Sequence, residues 1–236
     1  YTYFGTSTVI TELYNVIPIV ILGLAVLSAL LSQIFSNRPA LRDYSSVAIS
    51  VLALFVALYL LNGILNGEVP EFNLIQISPG LYISLMVDSA GMIFAALAIA
   101  LWVPATVYSI GYMRGHHELN QSRFYSAFAL SIGAAVGVAF SANLITFVLF
   151  YELLSLFTYP LVVHRQTDEA IQAGRKYLAF TLTGGLALVG GTAWIYALGL
   201  EARFTPNGFL DPSEIGNTTT LVLFFLLFFG VSVKAA

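Results

Sequence analysis

From Phe124 to Val163 the chain runs for forty residues with one charged side chain, Glu152. A helix of that length would extend about 60 Å, twice the ~30 Å hydrocarbon core of a bilayer, so the run must divide into two membrane-crossing helices. Ser141 and Asn143 are the turn signals inside it and place the break between residues 142 and 143.

Similar stretches of about 20 mostly apolar residues recur along the chain. They lie at 14–35, 45–65, 90–113, 124–142, 143–163, 177–200 and from 219 onward, which gives seven spans. The composition agrees: 58% of residues are hydrophobic and 9% charged, against roughly 25% charged in ordinary soluble domains. The expected fold class is therefore all-α, a polytopic membrane helix bundle that forms a single domain over residues 1–236.

The Lys and Arg residues sort by loop. Arg38, Arg42, Arg114, Arg123, Arg165, Arg175 and Lys176 fall in the odd-to-even loops, whereas the opposite loops hold Arg203 with Glu68, Glu71, Glu201, Asp211 and Glu214. Basic residues favour the cytoplasmic side, so this bias places the N-terminus outside and the protein in the cell (inner) membrane. Between spans two and three, residues 71–87 read as an external hairpin around Pro79-Gly80.

A net charge of −3 without a basic block leaves no electrostatic footprint for nucleic acid. The absence of cysteine removes disulfides, thiolate metal sites and iron–sulfur ligation, so no redox centre is expected in this chain. His116 and His117 stand beside Glu118 without a further ligand at useful spacing, and no phosphate loop or dinucleotide fingerprint occurs. Neither a metal nor a cofactor is expected. Tyr1 is not an initiator Met and Glu12 precedes the first span, which reads as a retained helix rather than a signal peptide. Lys234 lies two residues from the last residue with no polar exit behind it, so the expectation is the front part of a longer polypeptide.

Two lone charges carry the functional reading. Glu152 is the single charged residue of span five, near mid-depth, and Lys234 follows the uncharged run Leu221–Val233. Isolated charges at bilayer depth cost about 2.5–3.5 kcal/mol on insertion scales and mark ion pathways or ligand sites. A carboxylate and an ammonium that meet there change their proton affinities when they part, which is the property of a proton relay. The plainer readings are a helix-tying ion pair for Glu152 and a lysine reaching toward the interface for Lys234. Lys176 begins span six on the basic side, where a membrane anchor and a transport role are both open. His164 near the end of span five is a candidate proton shuttle. Pro160 should bend span five beyond Glu152. Gly184-Gly185, Gly190-Gly191, Gly133 and Gly137 read as close helix packing.

Four segments then resemble one family, the antiporter-like subunits shared by respiratory complex I, membrane-bound hydrogenases and Mrp-type multisubunit cation/proton antiporters. They are Tyr108-Ser-Ile-Gly-Tyr-Met113, Tyr151-Glu-Leu-Leu-Ser-Leu-Phe-Thr-Tyr-Pro-Leu-Val162, Gly174-Arg-Lys-Tyr-Leu178 and Gly230-Val-Ser-Val-Lys-Ala-Ala236. The resemblance implies that Glu152 is the fifth-helix transport glutamate, Lys234 the seventh-helix lysine and Lys176 a sixth-helix lysine on the same polar axis. It also implies the first half of a larger inverted-repeat transporter fold, with partner membrane subunits and with protons or sodium ions as cargo. Tyr151 stands where Trp is common in the family, Pro160 lies within the motif, and Ala235 replaces a frequent Ser. A rival reading is a retinal-binding seven-helix photoreceptor or pump with Lys234 as Schiff-base lysine, against which span three offers no mid-depth carboxylate. A membrane scaffold with a structural ion pair is the third.

Overall fold

A computed structural model describes the backbone of residues 3–78 and 81–235, and the side chains of 12–78 and 81–234. Pro79-Gly80, the expected hairpin turn, lies outside the described residues.

Among the described residues, eight helices and one two-stranded ribbon follow in the order α1 (Tyr3–Ile34), α2 (Pro39–Leu65), β1 (Glu71–Ser78), β2 (Leu81–Met86), α3 (Ser89–Gly115), α4 (Gln121–Ala139), α5 (Leu144–Val162), α6 (Asp168–Ala197), α7 (Pro212–Ile215) and α8 (Asn217–Ala235). All but α7 contain a stretch long and apolar enough to cross a membrane, which makes seven. Helices are the natural answer to such sequences because hydrocarbon offers no partner for a backbone N–H or C=O, and a helix satisfies both internally.

The forty-residue apolar run breaks where its two polar residues fall. Helix α4 ends at Ala139 and α5 begins at Leu144, with Asn143 as its N-cap. Asn143 Oδ1 accepts from Thr146 N at 2.9 Å and from Thr146 Oγ1 at 2.8 Å, while its Nδ2 donates to Tyr82 O and Ser84 Oγ at 2.8 and 3.0 Å. The intervening backbone is also paired: Met86 N donates to Phe140 O, Ala142 N to Ser84 O, Leu144 N to Ala202 O and Phe204 N to Ala142 O. The break is thus a short extended segment held between β2 and residues 202–204, with the amides of Phe140, Ser141, Ala142 and Leu144 all paired.

Helix α6 begins earlier than the hydropathy suggests, at Asp168 rather than near Tyr177. Thr167 caps it by accepting from Ala170 N, and Asp168 and Glu169 occupy the first turn, where negative charge complements the helix dipole. Lys176 therefore lies more than two turns inside the helix.

Two apolar cores divide the bundle. One joins α1–α4 and the ribbon around Leu60, Leu85, Met92, Ile99 and Phe140; the other joins α5, α6, α8 and the 200–210 segment around Leu144, Leu188, Ile195 and Leu223. The glycines fit this packing. An added Cβ at Gly133 would stand 2.6 Å from Ala25 Cβ on α1, and one at Gly137 would meet the Phe150 ring on α5.

Candidate functional site

The second core carries both lone charges. Lys234 Nζ lies 3.6 Å from Glu152 Oε1, with the lysine side chain 13% and the glutamate side chain 27% exposed. The fold brings together across α5 and α8 the two charges that the sequence pairs. Glu152 Oε1 is buried without a hydrogen-bond partner among the described residues. Its attraction to Lys234 is therefore an ion pair at contact distance rather than a formed hydrogen bond.

Lys234 is held mainly by Tyr151, which by sequence stands out only as a departure from the family pattern. Its ammonium donates to the Tyr151 backbone carbonyl and sits 3.5 Å from the centroid of the Tyr151 ring. The Tyr151 hydroxyl in turn donates to the α8 carbonyls of Gly230 and Val231 at 3.0 and 2.9 Å. One tyrosine thus anchors the helix that bears the lysine and offers the cation both a carbonyl and an aromatic face. A tyrosine inside an apolar stretch reads as bulk from sequence; its spacing next to Glu152 was the available signal.

Helix α6 comes close enough to complete the site because of Gly184 and Gly185. A Cβ added at Gly184 would lie 2.8 Å from Val233 Cβ and 3.2 Å from Gly230 O; one at Gly185 would lie 2.5 Å from Glu152 Oε1. On α8, a Cβ at Gly230 would stand 2.7 Å from Leu188 Cβ. These glycines do more than allow packing: Gly185 leaves the space that the carboxylate occupies.

Beside the pair opens a cavity of about 980 Å³, lined by Thr158, Tyr177, Thr181, Val233 and Lys234 among others. Hydroxyls continue from it toward the first core: Tyr177 donates to Ser155 O at 3.4 Å, and Thr158 Oγ1 lies 3.5 Å from Ser131 Oγ on α4. The aperture is mixed in character, with polar side chains on an otherwise apolar wall.

The other sequence candidates stand apart from the pair. Lys176 is exposed on α6 and forms no ion pair among the described residues. Pro160 sits in the last part of α5, which continues through it to Val162. His164 follows the end of α5, with both ring nitrogens buried and without a hydrogen-bond partner among the described residues, edge-on to Phe124 at 5.4 Å between centroids. Burial first, and the Arg123 guanidinium second, hold its imidazole below the usual histidine range. Asp88, a helix cap by sequence, accepts from Gly91 N at 2.7 Å.

Residues 141–236, which include Tyr151, Glu152, Gly185 and Lys234, match the family described as NADH:quinone oxidoreductase/Mrp antiporter, TM. The match covers the part of the chain that carries both charged residues of the pair. Among curated relatives, subunit A1 of a Na(+)/H(+) antiporter from Staphylococcus aureus is 30% identical over 159 residues, 66% of this chain and 20% of the relative. The chain thus spans about a fifth of the length of the curated relatives it matches. Among solved structures, the Mrp complex from Dietzia sp. is similar with a TM-score of 0.70 and 19% identity, over 95% of this chain and 41% of the other. The archaeal membrane-bound sulfane sulfur reductase, a respiratory membrane complex, gives 0.71 and 19%, over 91% and 33%. Respiratory complex I from Thermus thermophilus gives 0.66 and 17%, over 90% and 43%. At these identities the three structures show the fold alone, a multi-pass membrane helix bundle shared with subunits of those complexes.

Proposed function

We propose that this polypeptide carries protons, or exchanges sodium for protons, as one subunit of a multisubunit membrane complex, and that Glu152 and Lys234 are the working pair. The observation that carries the reading is the 3.6 Å contact between two oppositely charged, largely buried side chains in an otherwise uncharged part of the bundle. Buried pairs are weak sources of stability because desolvation offsets their attraction, so their presence calls for another role.

When the pair is closed, Glu152 stabilises the ammonium. When Lys234 swings into the adjoining cavity, the carboxylate loses its counterion and gains affinity for a proton, while the lysine is freer to release one. Tyr151 fits as the support of the closed state, because its carbonyl and ring both hold the ammonium there. The hydroxyls of Ser155, Thr158 and Tyr177 would carry a chain of water toward α4. Lys176 would extend the polar axis on α6, His164 would pass protons at the basic end, and Pro160 would loosen α5 between them. We place the N-terminus outside and the complex in the cell membrane on the distribution of Lys and Arg.

In membrane vesicles containing the protein, Glu152→Ala should abolish proton or cation transport while leaving assembly intact. Undiminished transport would remove Glu152 from the mechanism. A charge-swapped pair, Glu152→Lys with Lys234→Glu, distinguishes this reading from a scaffold: a structural pair regains stability without transport, and that stability is all a scaffold requires of it. Nothing in the matched folds favours the retinal reading, and a visible absorption band in purified protein would restore it.

A further inference from the structure

At the basic end of the bundle, the ends of α2, α3 and α4 enclose a second cavity of about 640 Å³ that the ion-pair mechanism does not use. Arg42, Arg114, Leu119, Gln121, Ser122 and Arg123 are in its wall. Arg42 is unusual for a residue at a helix start, since its side chain is only 5% exposed. It donates to Asp43 Oδ1 at 2.9 Å and to Gln121 Oε1 at 2.7 Å, with Ser122 Oγ at the 3.5 Å limit. A guanidinium has five N–H donors, so some remain uncommitted. Beneath it lies the Tyr125 ring, 5.0 Å away, whose buried hydroxyl has no partner among the described residues.

The neighbouring cations are also underused. Arg114 shares Asp43 through Nε at 2.8 Å, and Arg123 donates from Nη2 to His164 O at 2.7 Å while its buried Nε has no acceptor among the described residues. Glu118, the carboxylate in the cavity wall, pairs with Arg165 at 3.4 Å. Four guanidiniums therefore face two carboxylates, Asp43 and Glu118. Helix α4 starts here as well: Asn120 is left-handed with φ 54° and its side chain does not cap the first turn, whose residues Gln121, Ser122 and Arg123 line the cavity. Free amides at a helix start and surplus guanidiniums favour the same ligand chemistry, an oxyanion with several acceptor oxygens.

We propose that this cavity is a binding site for a phosphate group, held by Arg42, Arg114, Arg123 and the uncapped first turn of α4. The source is either the headgroup of an anionic phospholipid or a soluble phosphate. Basic pockets between membrane helices suit the first. The exposed Leu119 in the wall would lie against its apolar part.

The test uses purified protein in detergent. Phosphatidylglycerol retention is followed by native mass spectrometry, and inorganic phosphate binding by equilibrium dialysis in a parallel arm. The double variant Arg114→Gln/Arg123→Gln keeps the buried Arg42–Asp43 pair, and Arg175→Gln serves as a control outside the cavity. Saturable binding by the unaltered protein, weakened about tenfold or more by the double variant and not by the control, supports the site. A response confined to phosphatidylglycerol identifies the membrane source, and a response to inorganic phosphate alone identifies the soluble one. Absence of saturable binding of both ligands by the unaltered protein overturns the proposal whatever the variants do. Full retention by a folded double variant overturns it too.

Discussion

Replacing Gly185 by alanine should separate transport from folding. The added methyl would stand 2.5 Å from Glu152 Oε1, 2.8 Å from Cδ and 2.9 Å from Oε2, so the carboxylate must retreat toward the ordinary contact distance of 3.4 Å, a shift of up to 0.9 Å. The obstructing atoms are the end of a flexible side chain, and glycine to alanine inside a helix gains up to about 1 kcal/mol in propensity, so net stability should change by less than about 1 kcal/mol. The ion pair is more sensitive. At an effective dielectric of about 20, a shift of that size around a 3.6 Å separation changes the attraction by about 1 kcal/mol, roughly fivefold in the balance of closed and open pair. A cycle that needs both states is slowed by a bias in either direction. The assay is dye-reported proton movement in membrane vesicles, with Gly190→Ala on the same helix as control, because a Cβ there meets nothing within 4 Å. Equal transport by the two variants would refute the reasoning, as would unfolding of Gly185→Ala alone.

Tyr151→Phe removes the bonds to the Gly230 and Val231 carbonyls but keeps the ring beneath Lys234. It should cost about 1 kcal/mol of stability, with transport in the order Tyr, Phe, Leu at this position; an equal rate for Phe and Leu would remove the ring from the account. Asn143→Ala should destabilise the protein by about 2 kcal/mol, because a helix cap and the bonds to Tyr82 and Ser84 are lost together, and denaturation in detergent would show it. Glu71 is held below the usual carboxylate range, first by hydrogen bonds from Arg203, so its contribution is present above about pH 4.3 and disappears as pH falls through the lowered value. Both partners are partly exposed, so the effect is under about 1 kcal/mol. Hydrogen exchange in residues 71–86 should rise on acidification, and Arg203→Gln should move that rise to higher pH.

The membrane-spanning architecture was legible because insertion in hydrocarbon leaves few alternatives: length, apolarity and two polar residues at 141 and 143 were sufficient to locate seven helices. The start of α6 was less so, since hydropathy does not detect a charged first turn, while Thr167 with Asp168 and Glu169 does mark it. Glu152 and Lys234 stood out as isolated charges, yet their contact depends on how α5 and α8 pack against α6. The role of Gly185 was hidden for the same reason, as a glycine names a space without naming its occupant. Arg42 and Arg114 read as loop cations by position, and their shared partner Asp43 emerges once α2 and α3 are side by side.

The most direct measurement is a difference infrared spectrum of the protein in membranes, recorded as a pH gradient is imposed and compared with Glu152→Gln. Proton relay by the pair predicts a transient protonated-carboxyl band that the variant lacks. A band of equal intensity in the variant, or no carboxyl signal while protons cross, would contradict it.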